Sequence, residues 1–128
     1  NDYEKFKKLV EEKHVDCYIV NTGDFMGKKV KPADTLGILE AIVEKKAEFK
    51  QWGPFTDIEV LEMEGYVSDF NDMNYVETLK ARMTDRLNFV FEKDVEDGGY
   101  NALPTQAKEA LAKVIGEAHN LEVENSNN

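Results

Sequence analysis

Residues 16–43 place a short apolar run, a loop rich in Gly and Lys, and a stretch of helical apolar periodicity directly after one another. The run 17–20 is rich in β-branched and aromatic residues, which predicts a buried strand. Gly23, Gly27 and three lysines follow, and this composition predicts a loop. Pro32 then suits the first position of a helix, and Asp34 in the first turn suits the positive end of the helix dipole.

The helix that begins at Pro32 carries apolar residues over a wide arc, so we expect it to be covered on more than one side. Its apolar residues are Leu36, Ile38, Leu39, Ala41, Ile42 and Val43. A strand, a loop and a helix start in this order can receive an anionic ligand. The loop is nevertheless no nucleotide P-loop, because Gly23 and Gly27 are one residue too close and Lys29 stands where Ser or Thr is required. On pattern alone, an ordinary surface turn is favoured over an anion-contacting loop.

The same stretch resembles the C-terminal portion of ATP-dependent phosphoenolpyruvate carboxykinases. That family has a strand that ends Val-Asn-Thr-Gly, then Gly-Lys-Arg, then a helix that opens with Asp-Thr and continues in an Ile/Leu-Ala-Ile pattern. The matching residues here are 20–23, 27–29, 34–35 and 38–42. The motifs cover about residues 16–49, and the order of elements extends the resemblance loosely to about residue 92.

The resemblance implies that Lys29, Val30 and Thr35 border the adenine of bound ATP. The family usually has Arg at the position of Lys29, and a planar guanidinium stacks on a purine better than an ammonium does. The family's Pro-Gly-Val and Pro-Arg-Asn-Thr segments are missing, and Lys31 stands where its helix tends to begin with Ser. The chain therefore resembles a divergent relative.

The resemblance also implies the activity of a parent enzyme, which converts oxaloacetate and ATP to phosphoenolpyruvate, ADP and carbon dioxide in gluconeogenesis. The phosphate loop, the divalent metal (Mg or Mn) and the substrate arginine would lie upstream. We expect this chain alone to be inactive, with no catalytic or metal-binding residue, and to bind no cofactor by itself. Its expected partners are the remainder of the parent polypeptide and the nucleotide.

Size and composition favour one cytoplasmic domain, with no membrane partner and no nucleic-acid partner. The chain has 128 residues, 41% of them hydrophobic and 33% charged, and its net charge is −10. A chain this acidic repels a phosphate backbone, and no apolar run approaches the ~20 residues that span a bilayer. Cys17 is the only cysteine, which excludes an internal disulfide. The absence of an initiating Met at Asn1 suggests a piece of a longer protein.

The rest of the chain predicts an α+β fold in which about four helices pack on a small sheet of two or more strands. Helices are expected over residues 2–13, after a cap at Asn71 or Asp72, and from Pro104 onward. Residues 50–57 break the second helix, and a half-exposed strand follows over residues 58–63. Residues 121–128 are expected to form a loose tail of the single domain, which spans residues 1–128.

Two other function classes remain open from the sequence. The chain could be a non-catalytic interaction or regulatory domain that carries the motifs by chance. It could also be a small stand-alone enzyme, although the sequence has no Ser-His-Asp or Cys-His set, no clustered metal ligands and no Gly-rich dinucleotide motif.

Overall fold

The computed structural model describes residues 2–127, and in that range it contains four α-helices and two antiparallel two-stranded sheets. The predicted α+β class with about four helices is therefore confirmed. Within the same range, no helix combines the length and the apolar character needed to cross a membrane. The helices are α1 (Asp2–Lys13), α2 (Pro32–Val43), α3 (Met73–Glu92) and α4 (Thr105–Ser126), and the strands are β1 (Asp24–Phe25), β2 (Lys28–Lys29), β3 (Lys50–Trp52) and β4 (Phe55–Val60).

The contacts within the chain fall into two compact units. One unit is continuous and spans Ile19–Tyr75, so it contains both sheets and α2. The other combines residues up to Tyr18 with those from Val76 onward, and it is helical in character. We call them the hairpin unit and the helical unit. The sequence, by contrast, predicts a single domain over residues 1–128.

Helix α3 begins where the sequence predicts. The Asp72 carboxylate accepts hydrogen bonds from the amides of Asn74 (3.0 Å) and Tyr75 (3.3 Å), which confirms the predicted cap. These bonds satisfy amides that the first turn of a helix leaves without an intrahelical partner. Val76 and Val90 of this helix are buried, as its apolar spacing predicts.

Helix α4 follows Pro104, as predicted, but it extends much further than expected. It continues to Ser126, so the predicted loose tail from residue 121 is wrong for residues 121–126. Side chains stabilise this last part: Lys80 forms an ion pair with Glu122, and Asn125 donates a hydrogen bond to the carbonyl of Leu121. The polar composition of residues 121–126 therefore predicts a loose tail where side chains in fact stabilise the last turns of α4.

The apolar run 17–20 is not a strand, and the prediction of a buried strand is wrong. The run is irregular and exposed, with Ile19 fully open to solvent. A strand forms only where a neighbouring strand satisfies its backbone groups. Within the described residues the four strands pair only as β1 with β2 and β3 with β4, so no partner exists for this run.

The predicted loop after Gly23 contains a short hairpin. Asp24 pairs with Lys29, and Phe25 with Lys28. The two turn residues, Met26 and Gly27, both have positive φ angles (47° and 78°), as a two-residue turn of the primed type requires. Gly27 suits this geometry, whereas a methionine at positive φ is uncommon and gave no sequence signal.

A second hairpin occupies the segment expected only to break α2. Strands β3 and β4 are joined at Gly53 and Pro54, and Trp52 pairs with Phe55 across the turn. The strand predicted over residues 58–63 thus begins earlier and ends at Val60. Phe55 is fully buried, and rings of Trp52, Phe70 and Tyr75 form a chain of contacts around it.

Helix α2 begins at Pro32, as predicted, but it is not covered on more than one side. Leu36 is 66% exposed and Val43 is 81% exposed, and none of its residues is fully buried. The apolar face of α2 is wider than the surface that the rest of the hairpin unit covers. The expectation that this helix is covered on more than one side is therefore wrong.

Candidate functional site

The three residues predicted to border adenine lie in the hairpin unit, around the junction between β2 and α2. Lys29 ends β2 and is exposed. Val30 follows, and its amide donates to the carbonyl of Gly23 (3.0 Å), which closes the base of the hairpin. Thr35 lies in the first turn of α2, where its amide donates to the carbonyl of Lys31 (3.2 Å). Val30 and Thr35 are half-buried, so neither is sealed from solvent.

The start of α2 has no cap of its own. Lys31 occupies the cap position with extended backbone angles, and it makes no side-chain capping bond. Lysine has no acceptor atom with which to cap a helix amide. The Asp34 carboxylate in the first turn accepts a hydrogen bond from the hydroxyl of Tyr66 instead (2.6 Å).

Tyr66 supplies the contact that holds this junction. Its hydroxyl donates to Asp34 and also accepts a hydrogen bond from the amide of Lys31 (3.3 Å). The hydrogen bond to the Asp34 carboxylate raises the pKa of Tyr66, since that bond requires the neutral phenol; the Lys31 amide opposes this effect. At neutral pH the phenol is therefore protonated and can donate.

Lys28 is held by the same tyrosine and its neighbour. Its ammonium donates to the carbonyl of Gly65 (3.4 Å) and lies 4.7 Å from the centre of the Tyr66 ring, within cation–π range. Phe25, which pairs with Lys28 in the hairpin, meets the Tyr66 ring edge to face at 6.0 Å between centroids. The lysine is thus turned toward residues 65–66.

The three lysines of the loop consequently differ in what they offer a ligand. Lys28 is engaged by protein atoms, whereas no ion pair or side-chain hydrogen bond engages Lys29 or Lys31 within residues 2–127. Both side chains are exposed. An anion that approaches the junction would therefore meet two available ammonium groups beside a helix N-terminus.

A second feature lies in the helical unit, where α3 and α4 form a groove of about 790 Å³. Lys80 binds Glu122 across it (Nζ to Oε2, 2.6 Å) and lies 3.2 Å from Nδ1 of His119. The hydrogen bond from Lys80 lowers the pKa of Glu122. Because the ammonium is already paired, this groove offers an anion less than the loop does. Its lining residues are Glu77, Lys80, Ala81, Thr84, Asp85, His119, Glu122, Val123, Ser126 and Asn127.

The part of the chain that the structure describes contains no group of three His, Cys, Asp or Glu side chains placed to hold a metal ion. Comparison of the chain with protein-family models, with curated proteins and with solved structures gave no match. A functional assignment therefore depends on the residues of the junction and on the motifs that surround them.

Sequence reasoning located the junction but missed the residue that organises it. Tyr66 lies 32 positions after Asp34 and 35 after Lys31. No periodicity links positions so far apart, and a tyrosine after a glycine in a polar segment carries no distinctive signal. Only the fold shows the contact.

Proposed function

We propose that this chain is the C-terminal, adenine-side part of an ATP-dependent phosphoenolpyruvate carboxykinase-like enzyme, and that it is inactive alone. Lys29, Val30 and Thr35 contribute one wall of a nucleotide site that is completed by the remainder of the parent polypeptide. The observation that carries the proposal is the ordered set of motifs from residue 20 to residue 42, of which the part from residue 27 onward lies at the end of a hairpin and in the helix that follows it.

The geometry of the junction is compatible with this role. Val30 and Thr35 are half-buried, so both present part of their surface, and Lys29 is an available cation. In this proposal Val30 supplies apolar contact to the base, Thr35 supplies a hydroxyl, and Lys29 supplies positive charge near the nucleotide. ATP and a Mg or Mn ion are held mainly by residues of the parent enzyme outside this chain.

The experiment is a titration with ATP, followed by the NMR amide shifts of Lys29, Val30 and Thr35, in this chain and in its parent polypeptide. We expect shifts at these amides in the parent polypeptide, and weaker shifts in the chain alone. Lys29→Gln should weaken binding, whereas Lys45→Gln, which removes an exposed charge beyond the other end of α2, should leave it unchanged. Amides that do not move in the parent polypeptide would rule out the adenine wall.

A non-catalytic interaction domain is the second candidate, and the exposure of α2 favours it. Leu36, Leu39 and Val43 are all exposed and follow the three- and four-residue steps of one helix face. Such a face can dock a partner helix or groove. This candidate predicts that ATP leaves the spectrum unchanged, while a binding partner broadens the signals of α2.

A further inference from the structure

We propose that Tyr66 is the positioning residue of the adenine wall, because it fixes the hairpin and the start of α2 relative to each other. The inference depends on the proposed function, since it assigns Tyr66 a part in shaping that same site. No sequence motif of the resemblance includes this residue.

Tyr66 first holds the start of α2. The Lys31 amide is one of the amides that a helix N-terminus leaves without an intrahelical acceptor, and the Tyr66 oxygen accepts its hydrogen bond at 3.3 Å. The same hydroxyl donates to Asp34 at 2.6 Å. One side chain from a distant turn therefore satisfies the amide of the cap residue and holds the Asp34 carboxylate of the first turn.

Tyr66 also holds the hairpin formed by β1 and β2. The Tyr66 ring lies beneath the Lys28 ammonium at 4.7 Å and receives the edge contact of Phe25. These residues pair with each other across β1 and β2. The Tyr66 ring therefore contacts both β1 and β2, while its hydroxyl forms hydrogen bonds at the start of α2.

The three predicted wall residues lie beside the residues that Tyr66 contacts. Lys29 and Val30 are enclosed in sequence by Lys28 and Lys31, and Thr35 directly follows Asp34. All three predicted wall residues therefore neighbour a residue that Tyr66 contacts. Removing the hydroxyl should free the helix start without removing any atom of the wall.

The test compares Tyr66→Phe, Asp34→Ala and Asp34→Asn with the unaltered chain, first without nucleotide. We expect Tyr66→Phe to speed hydrogen exchange at the Lys31 amide by roughly fivefold to tenfold, which corresponds to one lost hydrogen bond. Asp34→Ala should have a similar but smaller effect. Asp34→Asn keeps an acceptor oxygen, so the exchange rate should stay within about twofold of the unaltered chain.

Tyr75→Phe is the matched control. Its hydroxyl bonds to Ser68 in the same unit (3.1 Å) and forms no hydrogen bond with residues 28–35. It should leave the Lys31 exchange rate unchanged. Protection of the β3 and β4 amides reports in every variant that the unit is folded.

The second arm measures ATP affinity of the parent polypeptide by the amide shifts of Val30 and Thr35. We expect Tyr66→Phe to weaken binding at least about fivefold, in line with the loss of one ordered contact. Asp34→Asn keeps an acceptor oxygen, so its affinity should stay close to that of the unaltered polypeptide. Unchanged Lys31 exchange, or unchanged affinity in Tyr66→Phe, would overturn the role of Tyr66. Absence of ATP binding by the unaltered polypeptide would instead overturn the proposed function. The hydrogen-exchange measurement needs no nucleotide, so it tests the role of Tyr66 separately from the proposed function.

Discussion

The two compact units achieve burial in different ways. In the helical unit the buried side chains are small and come from two long helices: Val76, Val90, Val114 and Ala118. Among residues 19–75, all of which the structure describes, Phe55 is the one buried side chain. Long helices bury residues at many repeats of their period, whereas short hairpins have few inward positions and depend on one large ring.

The aromatic group around Phe55 compensates for the small number of buried positions. Its ring lies 4.9 Å from that of Trp52 and 5.7 Å from that of Phe70, between centroids. The Trp52 indole donates to the hydroxyl of Ser68 (2.9 Å), so its polar atom is satisfied. The hairpin unit should therefore be sensitive to a single substitution in a way that the helical unit is not.

The largest effect is expected from Phe55→Ala. Removing a fully buried phenylalanine costs roughly 3–5 kcal/mol of unfolding free energy, since it leaves a cavity as well as losing apolar burial. Hydrogen exchange of the β3 and β4 amides should report the loss. The matched variant Val114→Ala should lower the unfolding free energy by roughly 2 kcal/mol, because it removes apolar burial from α4. Equal costs in the two variants would contradict the comparison.

An intermediate effect is expected from Asp72→Ala, which removes the cap of α3. Loss of a capping carboxylate costs about 1 kcal/mol of unfolding free energy. Urea denaturation followed by circular dichroism measures it. Asp72→Asn retains an acceptor and should recover most of the stability. The control Asp85→Ala changes an exposed aspartate inside the same helix and should cost far less.

The smallest effect is expected from the Lys80–Glu122 pair of the helical unit. Glu122→Gln should lower the unfolding free energy at pH 7 by less than about 1 kcal/mol, because the pair is partly exposed. The pKa of Glu122 is lowered in the folded chain, so its contribution is present above the ordinary glutamate range and is lost as the pH falls through the lowered folded value.

Urea denaturation at pH 7 and at pH 3 tests this dependence. The difference between Glu122→Gln and the unaltered chain should shrink at the lower pH. Glu124→Gln, an exposed neighbour on the same helix, should show no such convergence. If the difference in unfolding free energy between Glu122→Gln and the unaltered chain grew on acidification, Lys80 could not be the cause of the lowered pKa of Glu122.

Local sequence signals were sufficient for the helix starts but not for the sheets. Pro32 and Asp72 marked helix starts because capping and proline effects act within a few residues. The run 17–20 has strand composition but no strand to pair with, and pairing is a non-local property. Both hairpins were missed, and the turn of the first uses Met26, a residue type that rarely adopts positive φ.

The candidate site shows the same division. Lys29, Val30 and Thr35 were named from motifs, and their role stays a prediction. The fold adds Tyr66, whose contacts connect segments more than 30 residues apart. It also separates Lys28, which is engaged, from Lys29, which is available. Charge counting along the sequence treats these neighbouring lysines alike.

The conformation of Gly65 links the turn to the chemistry of the hairpin. Its φ is +85°, and a Cβ at this position would lie 2.9 Å from the Lys28 ammonium. Any larger residue would therefore strain the turn, and the Lys28 ammonium would have to shift to make room. A mutation at residue 65 would therefore alter how a lysine of the hairpin, 37 positions earlier in the chain, is held.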